Sequence, residues 1–484
     1  MSRGNQAVGI SHVPSASLMK RSRWLEHLSL GLCGALALAF AIMVPPLQIS
    51  DEHGHFIRAY VISRGEFVAR GTPELPEPVA AFLMGHPEAA ERVKRYTARE
   101  ILGDLPARAA TGAGRRTILS NADGHHPYLA WAVVGSATYF PLVYLPASLG
   151  ILTARILHLS PLAMMYAARI FNVLIFVAAL AVSFRLAPRY RCVMTAVALM
   201  PMALHQAGGI SADPVTIALS FVGLSLVLHA REHPVGRRFV VLVAVLFVIW
   251  GLSKSSVWSL PLLLLIPGSA FRNRGARLAY IAAVALCMVG ALAIWNGIDS
   301  ANVAAFRADR LTHGIDVSAN VRMAAAHSLI FAGQLLDLAR ATWLLQVGQL
   351  VGAYGWTRFT LPPWVGLEYL LLAMVVAATE PSAKLFRGWE RGVLLLVSVG
   401  GAALVYVALF VTDGVLCAAD PGRLCFASAG VQGRYFVPMC LTGLVALRQS
   451  RINVPSAVLL GFVTGVGTLH AFAALALIRT VFYV

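Results

Sequence analysis

Residues 28–68 read LSLGLCGALALAFAIMVPPLQISDEHGHFIRAYVISRGEFV. The stretch from Leu28 to Leu47 holds no charged side chain. A helix of about 20 such residues crosses the ~30 Å hydrocarbon core of a bilayer. Pro45 and Pro46 then stop it, because proline lacks the amide proton that a helix interior needs. Straight after the stop come Asp51, Glu52, His53 and His55. The chain leaves a membrane and at once sets two acids beside two histidines.

Lys20, Arg21 and Arg23 precede the run, as in a secretory leader. No small-x-small cleavage site follows, so the run reads as a retained first helix. Similar runs recur along the chain. Apolar residues make up 58% of it and charged ones 13%, and the mean hydropathy is +0.72. A water-soluble domain carries about twice that charged fraction. The expected fold class is an all-α integral membrane protein.

A net charge of +17 would also suit a nucleic-acid binder. The distribution decides against it. Basic residues fall in short clusters between apolar runs: Arg185, Arg189 and Arg191; Arg231, Arg237 and Arg238; Arg272, Arg274 and Arg277; Lys384, Arg387 and Arg391; Arg448 and Arg451. This is the positive-inside pattern. Membrane lipids, and no nucleic acid, are the expected surroundings.

Placing every basic cluster on one side gives about eleven transmembrane helices (10–13). They are expected near 28–47, 162–184, 192–206, 214–230, 239–252, 256–270, 277–296, 363–379, 391–411, 436–447 and 455–478. The organisation is a cytoplasmic tail 1–27, one transmembrane domain 28–478 and a tail 479–484. External segments are expected at 48–160, 297–362 and 412–435. The run 139–159 has two prolines and Arg155, and reads as an interfacial helix in the long first external loop. Trp24, Trp250, Trp258, Trp295, Trp364 and Trp389 fall near helix ends, as interfacial anchors do. Cys33, Cys192 and Cys287 read as packing residues. A Cys417–Cys425 disulfide in the outer loop stays open.

The chemistry-bearing residues sit in the outer loops. Ser50 would cap a helix starting at Asp51, with Asp51 and Glu52 in the first turn, where the helix dipole favours anions. His55 and Arg58 continue that face. A carboxylate beside a low-dielectric boundary can act as a base. The same group, Asp51, Glu52, His53 and His55, is also a candidate ligand set for a divalent cation, Mg or Mn. His125 and His126 read as loop residues. Asp213, in QAGGISADP, is a second carboxylate at a membrane helix start, and its bland reading is an Asp-Pro helix opening. Lys254, in GLSKSS, either snorkels or faces a cavity that holds an anion. In GVQGRYFVP, Gly430 and Gly433 permit close backbone approach, and Gln432, Arg434 and Tyr435 are candidates for phosphate and substrate contacts. GAYGWTRFTLPPW (352–364) reads as a turn and anchor.

The segments DEHGHFIRAYVISRGEF, YFPLVYLP, ARIFN, LMPMALHQAGGISADP, GLSKSSVW, GAYGWTRFTLP and GVQGRYFVP occur in this order. Together they resemble the bacterial membrane proteins of the domain of unknown function 2142 family, over roughly residues 40–450. That family in turn resembles the GT-C glycosyltransferase superfamily, with its protein mannosyltransferases and aminoarabinose transferases. The resemblance implies a GT-C-like fold in the bacterial inner membrane, with the N-terminus cytoplasmic and the active site external. It implies a sugar donor carried on polyprenyl phosphate, and a glycan, lipid or protein acceptor. Asp51 stands at the position of the superfamily's catalytic carboxylate, with Glu52 its neighbour and Asp213 at a second acidic position. Two rival functions share the polar cavity: a transporter or flippase of lipid-linked saccharides, and a polymerase of polysaccharide repeats.

Overall fold

Proline, glycine and clustered charges decide where each apolar run stops. The computed structural model describes residues 16–69, 74–85, 97, 115–117, 135–355, 357–381, 385–416, 424–425, 430–449, 452 and 454–483. The α-helices are α1 (Ala16–Met43), α2 (Glu52–Ser63), α3 (Glu77–Gly85), α4 (Leu145–Ile156), α5 (Pro161–Leu186), α6 (Arg191–Ala198), α7 (Pro201–Ala207), α8 (Asp213–Glu232), α9 (Arg237–Leu252), α10 (Arg274–Ile298), α11 (Ser300–Thr312), α12 (Val317–Ala326), α13 (Ser328–Val351), α14 (Pro363–Thr379), α15 (Gly388–Asp413), α16 (Val437–Ala446) and α17 (Ser456–Phe482). Three short two-stranded antiparallel sheets among the described residues pair β1 (Glu74–Pro76) with β2 (Arg115–Thr117), β3 (Ala353–Tyr354) with β4 (Phe359–Thr360), and β5 (Val415–Leu416) with β6 (Leu424–Cys425).

Six helices among the described residues are long and apolar enough to cross a membrane: α5, α8, α10, α15, α17, and α1 from Trp24. Helix α14 and the stretch Pro141–Ile156 are apolar but shorter. Helix α4 is 12 residues long, a rise of ~18 Å at 1.5 Å per residue. It packs along α5 and α2, and Leu149, Ile156 and Leu157 face outward.

Arginines from several of the basic clusters form ion pairs at one end of the bundle. Arg191 meets Glu26 at 2.9 Å, Arg189 meets Glu232 at 2.7 Å and Arg231 meets Glu390 at 2.9 Å. Fully buried Arg448 lies 3.6 Å from Glu380, donates to the Arg189 carbonyl at 2.6 Å and stacks on Tyr190. These contacts tie the ends of α5, α8 and α14 to the starts of α6 and α15. The opposite end carries the loops that hold Asp51, Asp213, Lys254 and Arg434.

Several expectations need correction. The first helix starts at Ala16, inside the segment read as a tail, and ends at Met43. Residues 256–270 do not form an α-helix: Val257–Leu265 is a 3₁₀ helix containing Pro261, followed by a short 3₁₀ turn at Gly268–Ala270. Pro261 supplies no amide proton. Ser256 and Ser259 also turn their hydroxyls back onto the carbonyls of Ser253 and Ser256, which competes with the helical ladder. The expected helix 192–206 is two pieces, α6 and α7, because Pro201 holds Met200 extended at ψ 124°. The segment 297–362 contains three helices, α11 to α13, and the β3–β4 hairpin. Trp250, Trp258 and Trp295 are buried and pack in the core, whereas Trp24, Trp364 and Trp389 are exposed. Cys287 is exposed, unlike Cys33 and Cys192. Cys417, His125, His126, Lys384 and Arg451 lie outside the described residues.

Candidate functional site

Asp51 occupies the position before α2 in a left-handed backbone, φ 65° and ψ 8°. Such a conformation is uncommon outside glycine, although aspartate tolerates it better than most. Ser50 therefore does not cap the helix, and Asp51 makes no side-chain cap bond either. The Asp51 carboxylate instead reaches across to Arg434, with Oδ2 2.7 Å from Nη2.

Arg434 belongs to the 3₁₀ turn Gly433–Phe436. Two amides of α13 hold that turn. Gln349 Oε1 accepts from the Gly433 amide at 3.0 Å, and Gln346 Nε2 donates to the Val431 carbonyl at 3.0 Å. A β-carbon at Gly433 would lie 2.5 Å from the Gln346 carbonyl, so this glycine is what lets the turn dock. Arg434 also donates to the Ser50 carbonyl at 3.3 Å and to the Tyr435 hydroxyl at 3.2 Å. Its Nε lies 3.9 Å from Asp213 Oδ2.

Asp213 opens α8, where the helix dipole favours its charge. Lys254 follows α9 and, like Ser255 beside it, is left-handed, at φ 47° and 50°. Its ammonium is ion-paired with Asp213 Oδ1 and sits 4.9 Å from the centre of the Tyr435 ring, a cation–π contact. The four charges alternate as Asp51, Arg434, Asp213, Lys254 and sum to zero. Asp213 and Arg434 side chains are 4% and 5% exposed, against 27% for Asp51. Two buried atoms in this chain of charges, Asp213 Oδ2 and Arg434 Nε, have no hydrogen-bond partner among the described residues.

An uncharged wall surrounds the network. His55 Nδ1 is 2.7 Å from the Tyr144 hydroxyl, and Tyr139 lies against the same ring. Burial holds the His55 imidazole down to about 4, with Asp51 opposing, so it is neutral at pH 7. Burial also lowers Lys254, more than Asp213 restores. Burial works against Arg434 too, but the Tyr435, Asp51 and Asp213 oxygens keep it above its ordinary range. A small cavity beside Arg434 is lined by Ser50, Met202, His205, Gln206, Ala353 and Gln432. His205 Nε2 and Gln206 Oε1 are buried there without partners among the described residues.

The structure separates Glu52 from this group. Its carboxylate forms a two-pronged, fully buried ion pair with Arg169, Oε1 to Nε at 2.9 Å and Oε2 to Nη2 at 2.6 Å. It also accepts from the Ile210 amide. Arg169 in turn binds the carbonyls of Ala41, Val44 and Pro45, at the end of α1. Reading Glu52 as a second candidate base is corrected: it is a structural partner closed off from solvent. Arg58 donates to the Phe67 carbonyl rather than entering the network. His53 is buried in α2. The candidate cation ligands have separate partners here, Asp51 with Arg434, Glu52 with Arg169 and His55 with Tyr144. No three His, Cys, Asp or Glu side chains among the described residues are grouped to hold a metal ion.

Sequence reasoning missed Arg169, Tyr144, Gln346 and Gln349. Arg169 had a visible signal, an arginine two turns inside a largely apolar helix whose other arginine, Arg185, lies in its last turn. The two glutamines had none, since an amide near a helix end is ordinary.

The family model described as Predicted membrane protein (DUF2142) matches residues 35–442. The chain belongs to that family. The match to the DUF2142 model takes in Asp51, Asp213, Lys254 and Arg434 together with the helices that carry them. No curated protein and no solved structure matches the chain.

Proposed function

We propose that this DUF2142 protein is a GT-C type glycosyltransferase of the bacterial inner membrane. It would transfer a sugar from a polyprenyl-phosphate carrier to a cell-envelope glycan, lipid or protein on the external face. The observation that carries this reading is the buried, neutral chain Asp51–Arg434–Asp213–Lys254, with one partly exposed carboxylate at its edge. Two cations for a leaving phosphate and one reachable base are what inverting transfer needs. Eleven crossings suit the arrangement: the six long helices, α6 with α7, α9, residues 257–271, α14 and α16. They alternate between the basic end and the site end, so the basic end is assigned to the cytoplasm.

In this mechanism the acceptor hydroxyl attacks the anomeric carbon and its proton passes to Asp51. The carbon–oxygen bond to the carrier breaks, and its electron pair leaves with the phosphate. Arg434 and Lys254 balance that charge. His55, neutral and bonded to Tyr144, lines the site without competing for the proton. The test is Asp51→Asn in a transfer assay, using detergent-purified protein and lipid-linked sugars extracted from the producing cells. The expected loss is about 10²–10⁴ in rate; near-wild-type turnover overturns the assignment of Asp51.

One observation favours a second reading. The chain breaks between α6 and α7 and again in the 3₁₀ stretch after Lys254, and paired broken helices at a binding site suit a flippase. Product formation in detergent, where there is no second compartment, separates the two.

A further inference from the structure

Arg434 as it stands is occupied by the group that should be the base. Its side edge presents Nε and Nη2. Nη2 holds Asp51 at 2.7 Å, while Nε is buried without a hydrogen-bond partner among the described residues. That edge is the fork that binds carboxylate or phosphate in two-pronged fashion. Here only Nη2 is hydrogen-bonded to a carboxylate, and Asp213 Oδ2 faces Nε from 3.9 Å, beyond hydrogen-bond reach.

The cluster also has no spare positive charge. Two carboxylates face two cations, and a phosphate ester entering it brings at least one more negative charge. An uncompensated anion in a buried site is expensive, so one carboxylate must give up its cation. Asp213 is poorly placed to do so. It starts α8, its amide is held by the Ser211 hydroxyl at 3.1 Å, its Oδ1 is bonded to Lys254 and it is 4% exposed. Asp51 is held to Arg434 by one contact, makes no cap bond and has a path to solvent. Its left-handed backbone is a sparsely populated state that a change of partner can relax.

We propose that a phosphate ester binds the Nε–Nη2 edge of Arg434 by displacing Asp51, and that Asp51 becomes available to the acceptor only after this exchange. The ligand class is a phosphate mono- or diester. What the freed carboxylate does afterwards rests on the glycosyl-transfer reading; the exchange itself does not. The unliganded protein is then held closed by its own carboxylate, and donor binding is what arms the site.

The experiment measures binding of farnesyl phosphate, farnesol and inorganic phosphate to the purified full chain in detergent, by calorimetry. Asp51→Asn is expected to bind farnesyl phosphate about tenfold more tightly than wild type, because no ion pair has to be broken first. Arg434→Gln is expected to lose binding. Asp51→Ala is the second variant, with the same expectation, and a thermal melt shows which variants are folded. Equal or weaker binding by the folded Asp51 variants overturns the exchange, as does farnesol binding as well as farnesyl phosphate. Inorganic phosphate showing the same Asp51 dependence makes the free anion sufficient; dependence confined to farnesyl phosphate makes the ligand a lipid headgroup, and both support the exchange. Tighter binding by Asp51→Asn with no transfer by wild type removes only the enzymatic reading. Transfer by wild type without that tightening removes only the exchange.

Discussion

Arg169 and Glu52 form a closed ion pair, 2.6 Å at its shortest, with neither side chain reaching solvent. One residue earlier, Asp51 turns the other way to Arg434. The start of α2 thus splits two adjacent acids between a structural pair and the site. Breaking a buried pair from one side leaves an uncompensated charge and typically costs about 3–5 kcal/mol. Glu52→Gln and Arg169→Met are each expected to destabilise the protein by about that amount. Arg169→Met should be the worse, because three carbonyls at the end of α1 lose their donor as well. Thermal unfolding in detergent checks this, and the double variant should cost less than the sum. By contrast, Asp51→Asn should stay within about 1 kcal/mol of wild type, since its pair is partly exposed.

The Lys254–Asp213 pair predicts a rescue. Lys254→Met alone leaves Asp213, which is 4% exposed, with only Arg434 Nε at 3.9 Å as counter-charge. Asp213→Asn alone leaves Lys254 facing Arg434 with less counter-charge. With both changed, neither charge is stranded, so a double-mutant cycle should give a coupling of about 1–3 kcal/mol. Additive losses would mean that the two side chains do not sense each other in the folded protein.

What the sequence made legible follows from how much a charge stands out at the edge of an apolar run. Asp51, Asp213, Lys254 and Arg434 each end such a run, and the structure brings all four together. The pairing was not legible, because nothing local tells Asp51 from Glu52. The discriminating partner, Arg169, lies 117 residues away from Glu52. Hydropathy also has no term for backbone hydrogen bonding. It marked 256–270 as one more helix, although Pro261 and two serines make the stretch 3₁₀. It passed over α13, whose Asp337 and Arg340 interrupt an apolar face.

His55 makes stability fall with acid. Its imidazole is held at about 4 by burial, against an ordinary 6.5, so between those values the unfolded chain binds the proton and the folded one does not. Stability therefore rises with pH across this window and is lost as pH drops through it. The full span is worth roughly 3 kcal/mol. His55→Asn should flatten that part of the pH profile, so the gap in melting temperature between about pH 7 and pH 4.5 narrows relative to wild type. An unchanged gap would assign the acid sensitivity to other groups.

Gly433 sets the position of Arg434, and its replacement should separate docking from charge. A β-carbon there meets the Leu350 amide nitrogen and the Gln346 carbonyl, backbone atoms of α13 that cannot swing aside. Gly433→Ala must therefore push the turn off α13 and strain the bonds to Gln346 and Gln349. Overpacking of this kind costs about 1–3 kcal/mol. Because Arg434 is the next residue, phosphate binding should weaken even though every charge is retained. Gly461→Ala is the control. That glycine lies inside α17, and a methyl group added to it would meet nothing within 4 Å among the described residues, so alanine there should stabilise by up to about 1 kcal/mol. Comparable melting temperatures and phosphate affinities for the two variants would show that the α13 contact does not position the site.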